Sequence, residues 1–243
     1  MITSSFDEAH FSVIAENIKR IKDEIAEATI KSNRKVEDVR LMAVTKTVCV
    51  EYINYAIDNC GIDLIGENKV QEFLSKRDLL HLDYVEKHLI GHLQTNKVKK
   101  IVGEVDMIQS VDSLRVAQSI SNEAIKTDMT ANVLLEINIG DEDSKTGFDK
   151  VEFEESLSQI SLLPNIKVRG LMTIPPICDN TLELEKYFER MSAYYNEIKD
   201  GNYTNFDFEI LSMGMSGDYK QAVIHGSNLV RVGSAIFGAR IYK

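Results

Sequence analysis

A chain of 243 residues is long enough to bury a large core without disulfides or metals, and α/β barrels use about this length as one domain. Hydrophobic residues make up 44% and charged residues 27%, with a formal net charge of −10. That charge argues against a nucleic-acid binder, which neutralises phosphates with Lys and Arg, and against an anionic membrane surface. The three cysteines, Cys49, Cys60 and Cys178, are an odd number without C-x-x-C spacing, so a reducing compartment is expected rather than a disulfide framework. No apolar stretch approaches the roughly 20 residues that span a bilayer, and the N-terminus carries no apolar signal region; the expectation is a cytoplasmic protein.

The first element is a helix over 6–29, where Ile14, Ile18, Ile21, Ile25 and Ala28 draw one apolar stripe at 4-3-4-3 spacing. Short apolar runs then appear at 40–46, 63–66, 88–91, 107–109, 133–139, 168–174, 208–211 and 229–232. Most lack strict polar alternation, as strands of a parallel sheet do when both faces are buried. Helical spacing fills the intervals at 51–59, 69–80, 96–102, 113–126, 152–162, 182–199 and 218–225. Alternation of this kind means βαβ units, and no linker rich in Pro, Gly or Ser interrupts it. Eight strands favour closure, so the expected fold is a single (β/α)8 TIM barrel over 40–240 behind one leading helix.

In such a barrel the site lies where strands end and βα loops begin. The first run ends in Ala43-Val44-Thr45-Lys46, which places Lys46 at that rim. Desolvation there disfavours the charged amine, and a neutral amine attacks a carbonyl to form a Schiff base. Position alone favours the plainer reading, a snorkelling surface lysine. The second run leads to Glu67, which could pair with a cation, and Asn68, which points an amide into the mouth or caps the next helix. His88 and His92 are four apart, but on a strand and loop this does not set two imidazoles on one face, and no zinc site is expected. Cys60 reads as a small buried hydrophobe.

The last two runs are followed by Ser212-Met213-Gly214-Met215-Ser216-Gly217-Asp218 and by Gly233-Ser234, directly after Arg231 and Val232. Barrels often bind phosphate with these loops, where glycines admit an anion to backbone N–H groups and a helix start favours its charge. Ser212, Ser216 and Ser234 add hydroxyls. Small residues also make tight turns, but the joint placement across from Lys46 points to a phosphorylated ligand.

Six stretches together resemble one family: Ala43 to Lys46, Gly66 to Asn68, Ile90 to Lys97, Gly170 to Pro175, Leu211 to Ser216, and Val230 to Gly238. They are similar to the pyridoxal 5′-phosphate (PLP) homeostasis proteins, the YggS/PROSC family, whose fold is that of the N-terminal barrel of alanine racemase. The resemblance implies a protein that holds PLP as a Schiff base on Lys46 and buffers or delivers it, with no catalytic residue assigned. It also implies that Ser212, Gly214, Gly233 and Ser234 form a phosphate cup with Met213 packed beside it. Arg231 would face the pyridine nitrogen, Asn68 would line the pocket, and Lys145 would lie near the cofactor. Gly140, Lys87 and Leu89 depart from the family pattern around the mouth. A monomer is expected, with apo PLP-dependent enzymes as recipients. The rival reading is an amino-acid racemase of the alanine racemase type. It needs a second acid/base group, which alanine racemase takes from an additional β-domain not expected here.

Overall fold

The computed structural model describes residues 7–140, 146–178 and 180–238. Each apolar run becomes a strand because helices cover one face and the barrel interior the other. The strands are β1 (Arg40–Val44), β2 (Leu64–Glu67), β3 (Glu86–Leu89), β4 (Met107–Val111), β5 (Ala131–Ile137), β6 (Ile166–Thr173), β7 (Phe206–Ser212) and β8 (Leu229–Val232). Every neighbouring pair is parallel. β8 returns to pair with β1, setting Met42 opposite Arg231 and Ala43 opposite Val232, and so closes the expected barrel.

The helices are α1 (Ala9–Lys31), α2 (Val50–Cys60), α3 (Val70–Lys76), α4 (Val98–Ile101), α5 (Leu114–Lys126), α6 (Lys150–Ile160), α7 (Thr181–Lys199), α8 (Tyr219–Ile224) and α9 (Ser234–Phe237). Three of the longer ones start on side-chain caps: Ser113, Asp149 and Asn180 each accept a backbone N–H from the first turn. The expected helix over 69–80 breaks at Lys76 into a 3-10 turn over Arg77–Leu79. That over 96–102 is a 3-10 turn followed by the single turn α4. α9, also one turn, is too short to print a periodicity in the sequence. The first strand stops two residues before its expected end. Thr45 still donates its N–H to the Gly66 carbonyl at 3.0 Å, but Thr47 swings into the left-handed region at φ 65°.

Two apolar layers hold the barrel. The larger lies between β3–β7 and the helices from α3 to α8. The second is built on α1, whose whole predicted stripe is buried against α2, α8 and α9 and against Ala43, Val230 and Val232. The leading helix thus seals the seam where β8 meets β1. Inside the barrel, Met42, Leu64, Met107, Leu134, Met172 and Leu229 fill the middle. No described helix is long and apolar enough to cross a membrane. Because Ile21 is wholly buried in the seam, Ile21→Ala should destabilise the fold by about 2–5 kcal/mol, transfer and cavity costs combined. Urea denaturation checks this; a loss below about 0.5 kcal/mol, the range of a surface site, would mean α1 does not seal the barrel.

Candidate functional site

The C-terminal rim of four adjacent strands, β7, β8, β1 and β2, gathers the expected residues into one arc of the wall. Ser212 ends β7, Met213 and Gly214 follow it, Arg231 lies in β8, Gly233 and Ser234 come next, Lys46 follows β1, and Asn68 follows β2. Lys145 lies outside the described residues.

Lys46 is half-buried, and the backbone on both sides of it is clamped. Lys76 Nζ reaches from α3 to donate to the Thr45 carbonyl at 3.0 Å, to Glu67 Oε1 at 2.9 Å and to Glu72 Oε1 at 2.6 Å. Thr45 Oγ1 donates to Glu67 Oε1 at 3.1 Å, and the Thr47 N–H donates to Glu72 Oε1 at 2.5 Å. Glu67 does pair with a cation, and that cation is Lys76. Burial pushes the Glu67 carboxyl up while Lys76 and the Thr45 hydroxyl oppose the shift. Asn68 is seated by the absence of a side chain at Gly91. A Cβ there would lie 2.2 Å from the Asn68 carbonyl oxygen and 2.7 Å from its Cγ.

Arg231 is buried within the barrel wall. Its Nη1 donates to Ser212 Oγ at 2.6 Å and its Nη2 to the Thr173 carbonyl at 2.8 Å. Burial drives its pKa down to about 10, opposed by the nearby charges of Glu136 and Asp218, so it stays cationic at neutral pH. Burial also raises both carboxyls, and Thr146 donates its hydroxyl to Glu136 at 2.7 Å. The Ser212 hydroxyl is engaged on both sides, donating to Gln109 Oε1 at 2.7 Å as well as accepting from Arg231. Met213 is fully buried in the helix-side core.

The loop after β7 folds over the end of β8. Gly214 takes φ 94°, and a Cβ there would meet the Ala222 Cβ at 2.5 Å. Its carbonyl accepts the Arg231 N–H at 2.9 Å. Ser216 Oγ accepts the N–H groups of Gly233 and Ala235 at 3.2 and 3.3 Å, so it sits at the start of α9 as an acceptor. Ser234 is exposed on the rim.

Sequence reasoning did not find Lys76, Glu72, Gln109, Thr173 or Glu136. Only Glu72 and Lys76 left a signal, the i,i+4 spacing of an ion pair on a helix. His88 is buried between Glu86 and Gln109, whereas His92 is exposed and pairs with Asp112 at 2.7 Å. Among the described residues no group of three His, Cys, Asp or Glu could hold a metal. Cys60, expected to be buried, is half-buried at the end of α2.

This closed barrel, with a lysine past β1 and a buried arginine on β8, is of the class described as the alanine racemase N-terminal domain, whose family model matches residues 12–241. Among curated proteins, the pyridoxal phosphate homeostasis protein of Aquifex aeolicus is 38% identical over 227 residues, covering 93% of this chain and 98% of that one. Its namesake in Escherichia coli K12 is 36% identical over 233 residues, covering 95% and 98%. The chain belongs to the family of pyridoxal phosphate homeostasis proteins. A solved protein from Bifidobacterium adolescentis superposes with a TM-score of 0.90 at 36% identity, over 96% of this chain and 97% of its own. PipY of Synechococcus elongatus, solved with PLP bound, gives 0.80 at 30% identity, over 93% and 100%. An alanine racemase from Clostridium difficile shares the fold at 17% identity and a TM-score of 0.73, with 93% of this chain covering 60% of it.

The clamp around Lys46 is itself testable. Lys76→Met strands Glu67, whose side chain is 1% exposed, without its cation, and should cost about 3–5 kcal/mol in denaturant unfolding. Adding Glu67→Gln removes the stranded charge and should restore most of that loss. A single variant as stable as the parent would show that the pair does not carry the strand end.

Proposed function

We propose that this chain binds PLP in the mouth of its barrel, covalently through Lys46, and serves PLP homeostasis by holding, buffering and handing over the cofactor. The observation that carries the reading is Arg231: a buried guanidinium, bonded to neutral oxygens, in the strand that pairs with the one ending at Lys46. The names of the relatives and the PLP bound in PipY support it.

The donor set fits the cofactor's three functional groups. Lys46 offers a primary amine to an aldehyde. Ser234 offers its hydroxyl and, with Gly214, its backbone N–H to a phosphate, while Ser216 gathers the Gly233 and Ala235 N–H groups beside it and Met213 holds the loop from behind. Asn68, seated on Gly91, offers an amide to the ring face. Arg231 offers N–H donors to the pyridine nitrogen and has no acceptor to give it. PLP supplies an aldehyde that condenses with amines and a ring that withdraws electrons, most strongly when its nitrogen is protonated. Arg231 holds that nitrogen as an acceptor and so damps the withdrawal. This suits a protein that keeps the cofactor and passes it to apo PLP-dependent enzymes.

Borohydride reduction of the PLP-loaded protein followed by peptide mapping should place the cofactor on Lys46. Lys46→Ala should abolish the covalent product and leave weaker binding through the phosphate. Reduced cofactor in that variant would mark another lysine, with Lys145 first in line. A second experiment separates homeostasis from racemisation: the loaded protein is incubated with L-alanine in deuterated water. We expect slow α-proton exchange without inversion, since a well-placed second acid/base group is worth about 10²–10⁴-fold in rate. Inversion at enzymatic rates, lost in Lys46→Ala, would make the protein a racemase.

A further inference from the structure

Within the apolar interior, one row of polar side chains runs from the foot of the barrel to Arg231. Gln109 and Ser212 are 0% exposed and His88 1%. The direction of every hydrogen bond in the row follows from its chemistry. Glu86, at the start of β3, accepts from His88 Nε2 at 2.6 Å and from Arg40 Nη1 at 2.6 Å, and these contacts hold its carboxyl well below the usual range. A carboxylate only accepts, so His88 carries its proton on Nε2. Burial keeps the imidazole neutral, so Nδ1 presents a lone pair and accepts from Gln109 Nε2 at 2.7 Å. That fixes the amide, whose Oε1 accepts the Ser212 hydroxyl proton at 2.7 Å. The Ser212 oxygen is then left as an acceptor for Arg231 Nη1 at 2.6 Å. All four donors face the same way, from Arg231 toward Glu86.

Such a row is costly in an apolar interior unless every member is satisfied, and here each one is. Its effect falls on Arg231. A buried guanidinium gains most from a bidentate carboxylate, and the charges of Glu136 and Asp218 both act on this one. Yet among the described residues its side-chain hydrogen bonds go to a hydroxyl and a carbonyl rather than to a carboxylate. We infer that His88, Gln109 and Ser212 form a one-directional positioning relay, anchored on Glu86, that fixes the Arg231 guanidinium on neutral acceptors and keeps it available to a ligand in the mouth. This deepens the assignment of Arg231 to the pyridine nitrogen and rests on it.

The test has one arm without cofactor and one with it. In the unloaded protein, ¹⁵N NMR of His88 should report the neutral Nε2–H tautomer with a hydrogen-bonded Nδ1, and Arg231→Lys should perturb its Nδ1 resonance through the relay. An Nδ1–H tautomer or an imidazolium at pH 7 would overturn the relay, because neither can accept from Gln109. In the second arm, ¹⁵N-labelled PLP is bound to the parent, Gln109→Met, His88→Leu and His88→Gln proteins. Loss of one buried hydrogen bond to the relay should weaken PLP binding by about tenfold in the first two variants and move the ring-nitrogen resonance. His88→Gln, which keeps one donor and one acceptor, should recover most of both. Unchanged affinity and an unmoved ring nitrogen in Gln109→Met and His88→Leu would overturn the relay while leaving PLP binding intact. Failure of the parent to bind PLP would instead overturn the cofactor reading, and the His88 tautomer alone would then judge the relay. Should the two disruptive variants not fold, that tautomer and its response to Arg231→Lys again decide.

Discussion

The pairing of β8 with β1 is the contact on which the rest of the site depends. Until those two strands meet, Arg231 and Lys46 stand at opposite ends of the chain. Once Met42 lies opposite Arg231, the guanidinium is locked into the wall beside the strand that carries the lysine to the rim. The seam is made at long range and so carries a loop-closure cost. Burial of the α1 stripe against Ala43, Val230 and Val232 offsets that cost. The helix before the barrel is thus part of what brings the site together.

The two halves of the site handle charge differently. Around Lys46, a buried carboxylate is matched by the half-buried Lys76 ammonium, with Glu72 as a second acceptor, and the cluster holds the main chain on either side of Lys46. Around Arg231 the hydrogen-bond partners among the described residues are neutral, and a row of oriented side chains leads away from it. An ion pair would neutralise the guanidinium; hydroxyl and carbonyl partners only aim it. A group meant to bind a ligand has to retain that unspent interaction. On the proposed assignment of Arg231 to the pyridine nitrogen, the same choice would weaken the electron sink of the ring.

Much of this was legible in the residues. Eight apolar runs alternating with helical spacing implied a parallel barrel, and the 4-3-4-3 stripe over Ile14 to Ala28 implied a helix with one buried face; both follow from local periodicity. Lys46, Asn68, Arg231 and the two glycine-serine loops were legible because barrel topology assigns the ends of strands to one rim. Boundaries were less so. Strand one stops at Val44, shortly before Thr47 turns left-handed, and the helix after β2 breaks at Lys76, whose ammonium reaches back to the Thr45 carbonyl; both depend on contacts between elements rather than on local pattern.

By itself the sequence determined the fold class, the leading helix and the set of residues at the mouth, since each depends on periodicity or on position along a strand. Only the tertiary structure decided what those residues touch. Ser212 is a single hydroxyl in the chain, and nothing local says whether it faces a phosphate or bonds Gln109 and Arg231. His88 and Gln109 lie on neighbouring strands 21 residues apart, and Gln109 and Ser212 are 103 apart. Their alignment exists only after eight strands have closed with one register, because a side chain's partner across a barrel is chosen by geometry that no local pattern encodes.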